Sequence, residues 1–178
     1  DQQGVAMSAT ILLPQHSLLA HLQDELREAE VCLATVAYLD AAVGDQLAAA
    51  LHQRMADGRP LAFRILVRTR DYFTSPHALR TLLALTPRDG ATIELRWSTH
   101  DKFHAKAFGF RTTPAAPPRV LIGSANLLSR AVGTDSGELG VWVDGGDAAA
   151  EAWNALEAFW SEGDRITPAW LGAYEKQH

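Results

Sequence analysis

Lys102-Phe-His-Ala-Lys-Ala-Phe-Gly-Phe110, a Pro-rich bend, Arg119-Val-Leu-Ile-Gly-Ser-Ala-Asn126 and then Asp135-Ser-Gly-Glu-Leu-Gly-Val-Trp-Val143 hold the densest chemistry in this chain. His104 and Lys106 stand two residues apart in a stretch that reads as a β-strand. Alternation along a strand puts both side chains on one face, with Phe103, Ala105 and Ala107 turned the other way into the core. A second strand, 119–122, runs into Gly123-Ser124-Ala125-Asn126. In that small-residue turn, backbone N–H groups, a hydroxyl and a carboxamide can converge on an anion. A third strand begins near Glu138, whose carboxylate could orient an imidazole. Nucleophile, cation, amide and carboxylate together are the parts of a phosphoryl-transfer site.

A lone His-x-Lys pair is common on solvated strand edges. The order His104-x-Lys106, Gly123-Ser124-x-Asn126, Glu138 is more specific, and it resembles the phospholipase D superfamily. The signature of that family is H-x-K, four residues, an Asp, about six residues, then G-S-x-N. Here position 111, where the family carries the Asp, is Arg, and the gap before Gly123 is longer by about five residues. In the family that Asp is largely structural.

The resemblance implies a phospholipase D-like α/β/α sandwich with a mixed central sheet. It implies His104 as a nucleophile forming a covalent phosphohistidine, with Lys106, Asn126 and Ser124 holding the non-bridging oxygens and Glu138 as the acidic partner. It implies neither metal nor cofactor. The full signature, H-x-K with its G-S-x-N, occurs once, so a second catalytic His is expected from another copy of the chain, as a twofold homodimer.

The 178 residues suffice for one domain with a full core, and 47% apolar with 21% charged residues is a globular composition. A tail or domain-boundary segment is expected over 1–14, and a single catalytic domain over 15–178. No apolar run approaches membrane-spanning length, and the N-terminus lacks signal-peptide features. The lone Cys32 lies in an apolar strand and fits a reducing compartment. A cytoplasmic protein without a membrane partner is the expectation.

The net charge is −5, but it is unevenly spread. Residues 1–58 carry two Arg against eight acids, residues 59–130 twelve Lys or Arg against four, and residues 131–178 two against nine. The basic third holds the His-x-Lys. It can steer a polyanion to one face, or its Arg residues can pair with the acidic helices.

Periodicity and capping predict helices over 15–30, 45–55, 76–85, 126–132 and 147–160, and strands over 31–37, 61–67, 92–97, 119–122 and 138–143. A turn at Asp89-Gly90 leads into the strand at 92. Arg68 and Arg70 follow a strand, where they can bind a phosphate backbone or simply be solvated. Trp97 abuts the loop before His104 and could stack on a base. Gly123 joins the anion-binding turn. The resulting expectation is a metal-independent endonuclease, acting on DNA in preference to RNA. The alternatives are a phospholipid phosphodiesterase or phosphatidyl transferase, and a non-catalytic nucleic-acid-binding dimer.

Overall fold

The computed structural model describes residues 8–13, 16–85, 90–134 and 136–178. Residues 1–7, the start of the predicted first helix at Gln15, Asp89 of the predicted turn and Asp135 lie outside them.

Among the described residues eight strands form one mixed sheet: β1 (Ser8–Leu12), β2 (Val31–Val36), β3 (Leu61–Val67), β4 (Ala91–Trp97), β5 (Ala107–Arg111), β6 (Arg119–Gly123), β7 (Gly140–Asp144) and β8 (Asp164–Arg165). Their order across the sheet is β1-β7-β6-β5-β2-β3-β4-β8. The centre, β2-β3-β4, is parallel; the other pairings are antiparallel. The parallel strands need crossovers, and these are α2 (Ala41–Ala56) and α3 (Pro76–Leu83).

Alternation along the strands divides the core in two. Cys32, Ala34, Val36, Phe63, Ile65 and Phe108 face α1 (Leu18–Glu28), α2 and α3. Leu33, Leu66, Ala107 and Val120 face Trp153, Leu156 and Trp160 of α5 (Gly146–Glu162). Helices therefore cover both faces, as the resemblance implied. Gly109 permits the close approach of α5, because a Cβ there would stand 2.9 Å from the Trp153 ring.

The helices start where local chemistry says they should. Ser17, Asp40 and Ser75 each accept an N–H of the first turn, and Pro76 follows its cap. α2 begins at Ala41, four residues before the expected 45, because Asp40 rather than Asp45 is its cap.

β1, β8, α6 (Pro168–Glu175) and a single 3-10 turn at Arg70–Tyr72 are not foreshadowed by periodicity. β1 lies inside the expected N-terminal tail, paired with β7 from Ser8↔Asp144 to Leu12↔Gly140. The capping pair Thr167-Pro168 marked α6 all along. Among the described residues no helix is long and apolar enough to cross a membrane.

Many cations of the basic third are spent inside the fold. Arg64 grips Glu157 of α5 with two hydrogen bonds of 3.0 and 2.7 Å. Arg119 pairs with Glu25 and Asp144, Arg80 with Glu175, and Arg59 with Glu28. Pairing with acidic elements thus accounts for much of the asymmetry. Lys102 and Lys106, in the segment that enters β5, make no such ion pair among the described residues and lie at one edge of the sheet.

Candidate active site

That edge is where the parallel strands end. In open α/β sheets, loops at the carboxyl ends of parallel strands are where ligands are held. β5 runs antiparallel to β2, so the segment entering β5 reaches the same edge, as does the end of β6.

β5 is assigned from Ala107, so His104 and Lys106 lie in the segment just before it, a correction to the expected strand. β2 ends at Val36 and stops pairing past Thr35↔Ala107, leaving this segment a neighbour on one side. The Lys106 carbonyl still accepts the Gly123 N–H at 3.1 Å, which extends the β5–β6 ladder. Alternation persists too: Phe103 and Ala107 are buried against α5, as expected.

Lys106 is 7% exposed, unusual for a Lys. Its Nζ donates to the His104 carbonyl at 2.9 Å and lies 2.7 Å from Nδ1 and 3.1 Å from Nε2 of the same residue. An ammonium can donate to only one of these nitrogens, the one that carries the lone pair of a neutral ring. The His104 pKa is accordingly held below its ordinary value, first by partial desolvation, then by the charges of Lys106 and Arg68. Burial also lowers the Lys106 pKa, and the Glu138 carboxylate works in the opposite direction.

Gly123 admits no side chain, since a Cβ would stand 2.9 Å from the Leu139 carbonyl oxygen. The Ser124 N–H donates to that carbonyl at 3.0 Å, and its hydroxyl donates to Glu138. Glu138 thus has Ser124 as its hydrogen-bond partner, where an orienting contact to the imidazole was expected. Asn126 reaches back to β2: its Oδ1 accepts the Tyr38 N–H at 3.1 Å. Leu127 and Leu39 continue this contact as a short parallel bridge.

Tyr38 was not picked out from sequence. Its ring meets His104 edge-on at 6.3 Å and carries the Arg68 guanidinium at 5.8 Å. The available signal was its position just past a central parallel strand. Of the expected binding residues, Arg68 borders the site and pairs with Asp71, while Arg70 pairs with Asp101 farther out. Trp97 has one ring face covered by Trp170, at 5.7 Å. Arg111, at the position of the family's Asp, lies over Trp153 at 4.5 Å and donates to the Pro114 carbonyl at 3.1 Å, pinning the Pro-rich bend.

A second triplet of the same spacing, His100-Asp101-Lys102, lies in a turn. There the Lys102 N–H donates to His100 Nδ1 at 3.2 Å. A cleft lined by His100, Lys102, Phe103, His104 and Phe159 opens beside the His104 ring.

No family model and no curated relative matches the sequence. Among solved structures the chain is similar to Nuc, a phospholipase D family member from Salmonella typhimurium, with TM-score 0.63 and 16% identity over 90% of this chain and 99% of Nuc. It is similar to NucT from Helicobacter pylori, with TM-score 0.64 and 13% identity over 90% of this chain and all of NucT (100%). It also matches 40% of the phosphatidylserine synthase of Haemophilus influenzae, with TM-score 0.55 and 12% identity over 90% of this chain. The chain has the phospholipase D fold.

Proposed function

We propose that the protein is a phosphodiesterase of the phospholipase D type that cleaves nucleic acid, DNA in preference to RNA, without a metal. The observation carrying this reading is the contact of a buried Lys106 with the His104 ring, 2.7 Å from Nζ to Nδ1, on the sheet edge that also holds Ser124 and Asn126.

In this scheme an imidazole nitrogen of His104 attacks phosphorus. An N–P bond forms, the P–O bond to the leaving group breaks, and a protonated imidazole gives its proton to the leaving oxygen. Water then attacks phosphorus, its proton passes to that second imidazole, and the N–P bond breaks. Incoming phosphate oxygens draw the Lys106 ammonium away from the ring. Lys106, the Asn126 carboxamide and the Ser124 hydroxyl then meet the charge that grows in the transition state.

The second imidazole is assigned to His104 of the partner subunit. An apolar row supports a twofold pairing: Ile11, Val141 and Ile122 are in register across β1, β7 and β6. Ile11 is 58% and Ile122 46% exposed, with Leu139 beside them at 52%. Such a patch next to a half-complete site fits a second copy.

Nucleic acid is favoured because Lys102, Lys106 and Arg68 lie along one edge of a protein of net charge −5, although Arg68 there also pairs with Asp71. The likeness to a phosphatidylserine synthase favours the lipid reading. The test is cleavage of labelled oligonucleotides in excess EDTA, beside turnover of phosphatidylcholine vesicles. Cleavage that is lost in His104→Ala is expected. A requirement for Mg²⁺, survival in His104→Ala, or turnover of lipid alone overturns the reading. DNA binding without turnover selects the non-catalytic module.

A further inference from the structure

We infer that the turn Arg70–Phe73 is a base-stacking element. It holds an unpaired nucleobase beside the phosphodiester at His104, so the site takes single-stranded in preference to duplex nucleic acid; this rests on the function proposed above.

The turn is strained. Asp71 and Tyr72 are consecutive non-glycine residues with φ of 68° and 58°. L-residues adopt this left-handed region singly and at a cost, and persist there when the surroundings over-determine them. Those surroundings are in place. Thr74 is fully buried, with its hydroxyl 2.5 Å from the Arg68 carbonyl oxygen. Its own carbonyl accepts the Tyr174 hydroxyl at 2.8 Å, and the Ser75 N–H donates to Leu39 at 2.8 Å.

This anchoring holds two aromatic rings in solvent: Phe73 is 64% exposed and Tyr72 43%. Phe73 meets the Tyr38 ring edge-on at 5.1 Å, and Tyr38 meets His104 at 6.3 Å. The exposed Phe73 ring is therefore one side chain removed from the reacting imidazole. Tyr72 is backed by a column of stacked rings: Tyr174 at 5.8 Å, Trp170 5.1 Å beyond it, and Trp97 a further 5.7 Å along. Trp97 thus lies at the far end of the column, behind the rings that face solvent. Arg68 stands over Tyr38, where it can reach the phosphate joined to a stacked base.

Every base has a π-face, so a rigid aromatic ring beside cations binds single strands with little regard to sequence. Bases within a duplex already stack on one another and reach such a ring by being splayed out. An acyl chain would want continuous apolar surface. Here the rings are interrupted by the charges of Arg70, Asp71 and Asp101.

The experiment compares Phe73→Leu and Phe73→Trp with the unaltered protein on three substrates. These are a labelled DNA strand, its duplex, and a strand of equal length made of abasic sugars. The unaltered protein is expected to prefer the base-bearing strand over both others by about tenfold or more, the scale of one base–aromatic stack. Phe73→Leu should lose about tenfold in kcat/KM on that strand, through KM, and narrow the gap to the abasic strand; Phe73→Trp should restore it. Equal losses on base-bearing and abasic strands, or equal use of single strand and duplex by the unaltered protein, overturn the inference. If no strand is cleaved at all, the phosphodiesterase reading fails on its own. The stacking is then read from fluorescence anisotropy of the same strands, where base-dependent affinity lost in Phe73→Leu supports it and unchanged affinity overturns it.

Discussion

The Asn126 side-chain oxygen accepts the backbone N–H of Tyr38 at 3.1 Å, joining the turn after β6 to the end of β2. With the oxygen engaged, the carboxamide offers its Nδ2 donors to a phosphate. Asn126→Asp keeps the acceptor and the shape but replaces the donor by a negative charge. We expect kcat/KM to fall by about 10²-fold or more, the scale of one lost transition-state donor, with little change in Tm. Steady-state kinetics beside thermal melting separates this from a folding defect.

The lowered His104 pKa has a definite consequence for pH dependence. The ring is neutral to a greater extent than an ordinary imidazole at the pH, near ~6.5, where the latter is half protonated. The acid limb of kcat/KM should therefore lie below that value. Arg68→Gln removes one of the neighbouring positive charges and should move the limb upward. Titration of the His104 ring by NMR should show the same displacement.

Pairing across the apolar row predicts that Ile122→Glu converts a dimer into a monomer in sedimentation velocity and removes most activity, since the second imidazole departs with the partner. His100→Ala, which alters the neighbouring turn, should leave turnover within about twofold, the ordinary reach of a surface change. A fully active Ile122→Glu monomer would contradict the shared site.

Asp40 joins two elements by its two carboxylate oxygens. Oδ1 accepts the Val43 N–H at 2.9 Å as the cap of α2, and Oδ2 accepts the Ser129 hydroxyl at 2.7 Å together with the Ser129 N–H. Burial opposes its charge, but the hydrogen bonds, led by the Ser129 N–H, outweigh it and lower the pKa. A folded pKa below the unfolded one means that the unfolded chain binds the proton first. The contribution is thus complete above the unfolded value of about 3.9 and is lost as pH falls through the folded value. Asp40→Asn should cost about 1–2 kcal/mol at neutral pH, and less in acid, by urea unfolding at both pH values.

Arg54 is 2% exposed, and its guanidinium donates to four carbonyls: Leu26 at 3.2 Å, Ala29 at 3.1 Å, Arg59 at 3.2 Å and Pro60 at 2.9 Å. It joins the end of α1 to the approach of β3. Arg54→Ala leaves buried acceptors unmet and should cost about 3–5 kcal/mol in chemical denaturation. Arg54→Lys should recover little, because one ammonium cannot span the positions a planar fork reaches.

The amino-acid sequence by itself determined what is local. The caps at Ser17 and Ser75, the buried runs that became β2 and β3, and the spacing of His104, Lys106, Gly123 and Asn126 are patterns a few residues long. The physical preferences behind them act over the same range. Tertiary structure alone decided what depends on distant partners. β1 became a strand because β7, more than a hundred residues away, offered it a ladder. Glu138 went to Ser124, Arg111 went to Trp153, and Tyr38 came to the imidazole because the sheet order set β2 beside β5. Phe73 stands in water because buried anchors on either side leave the chain no other course.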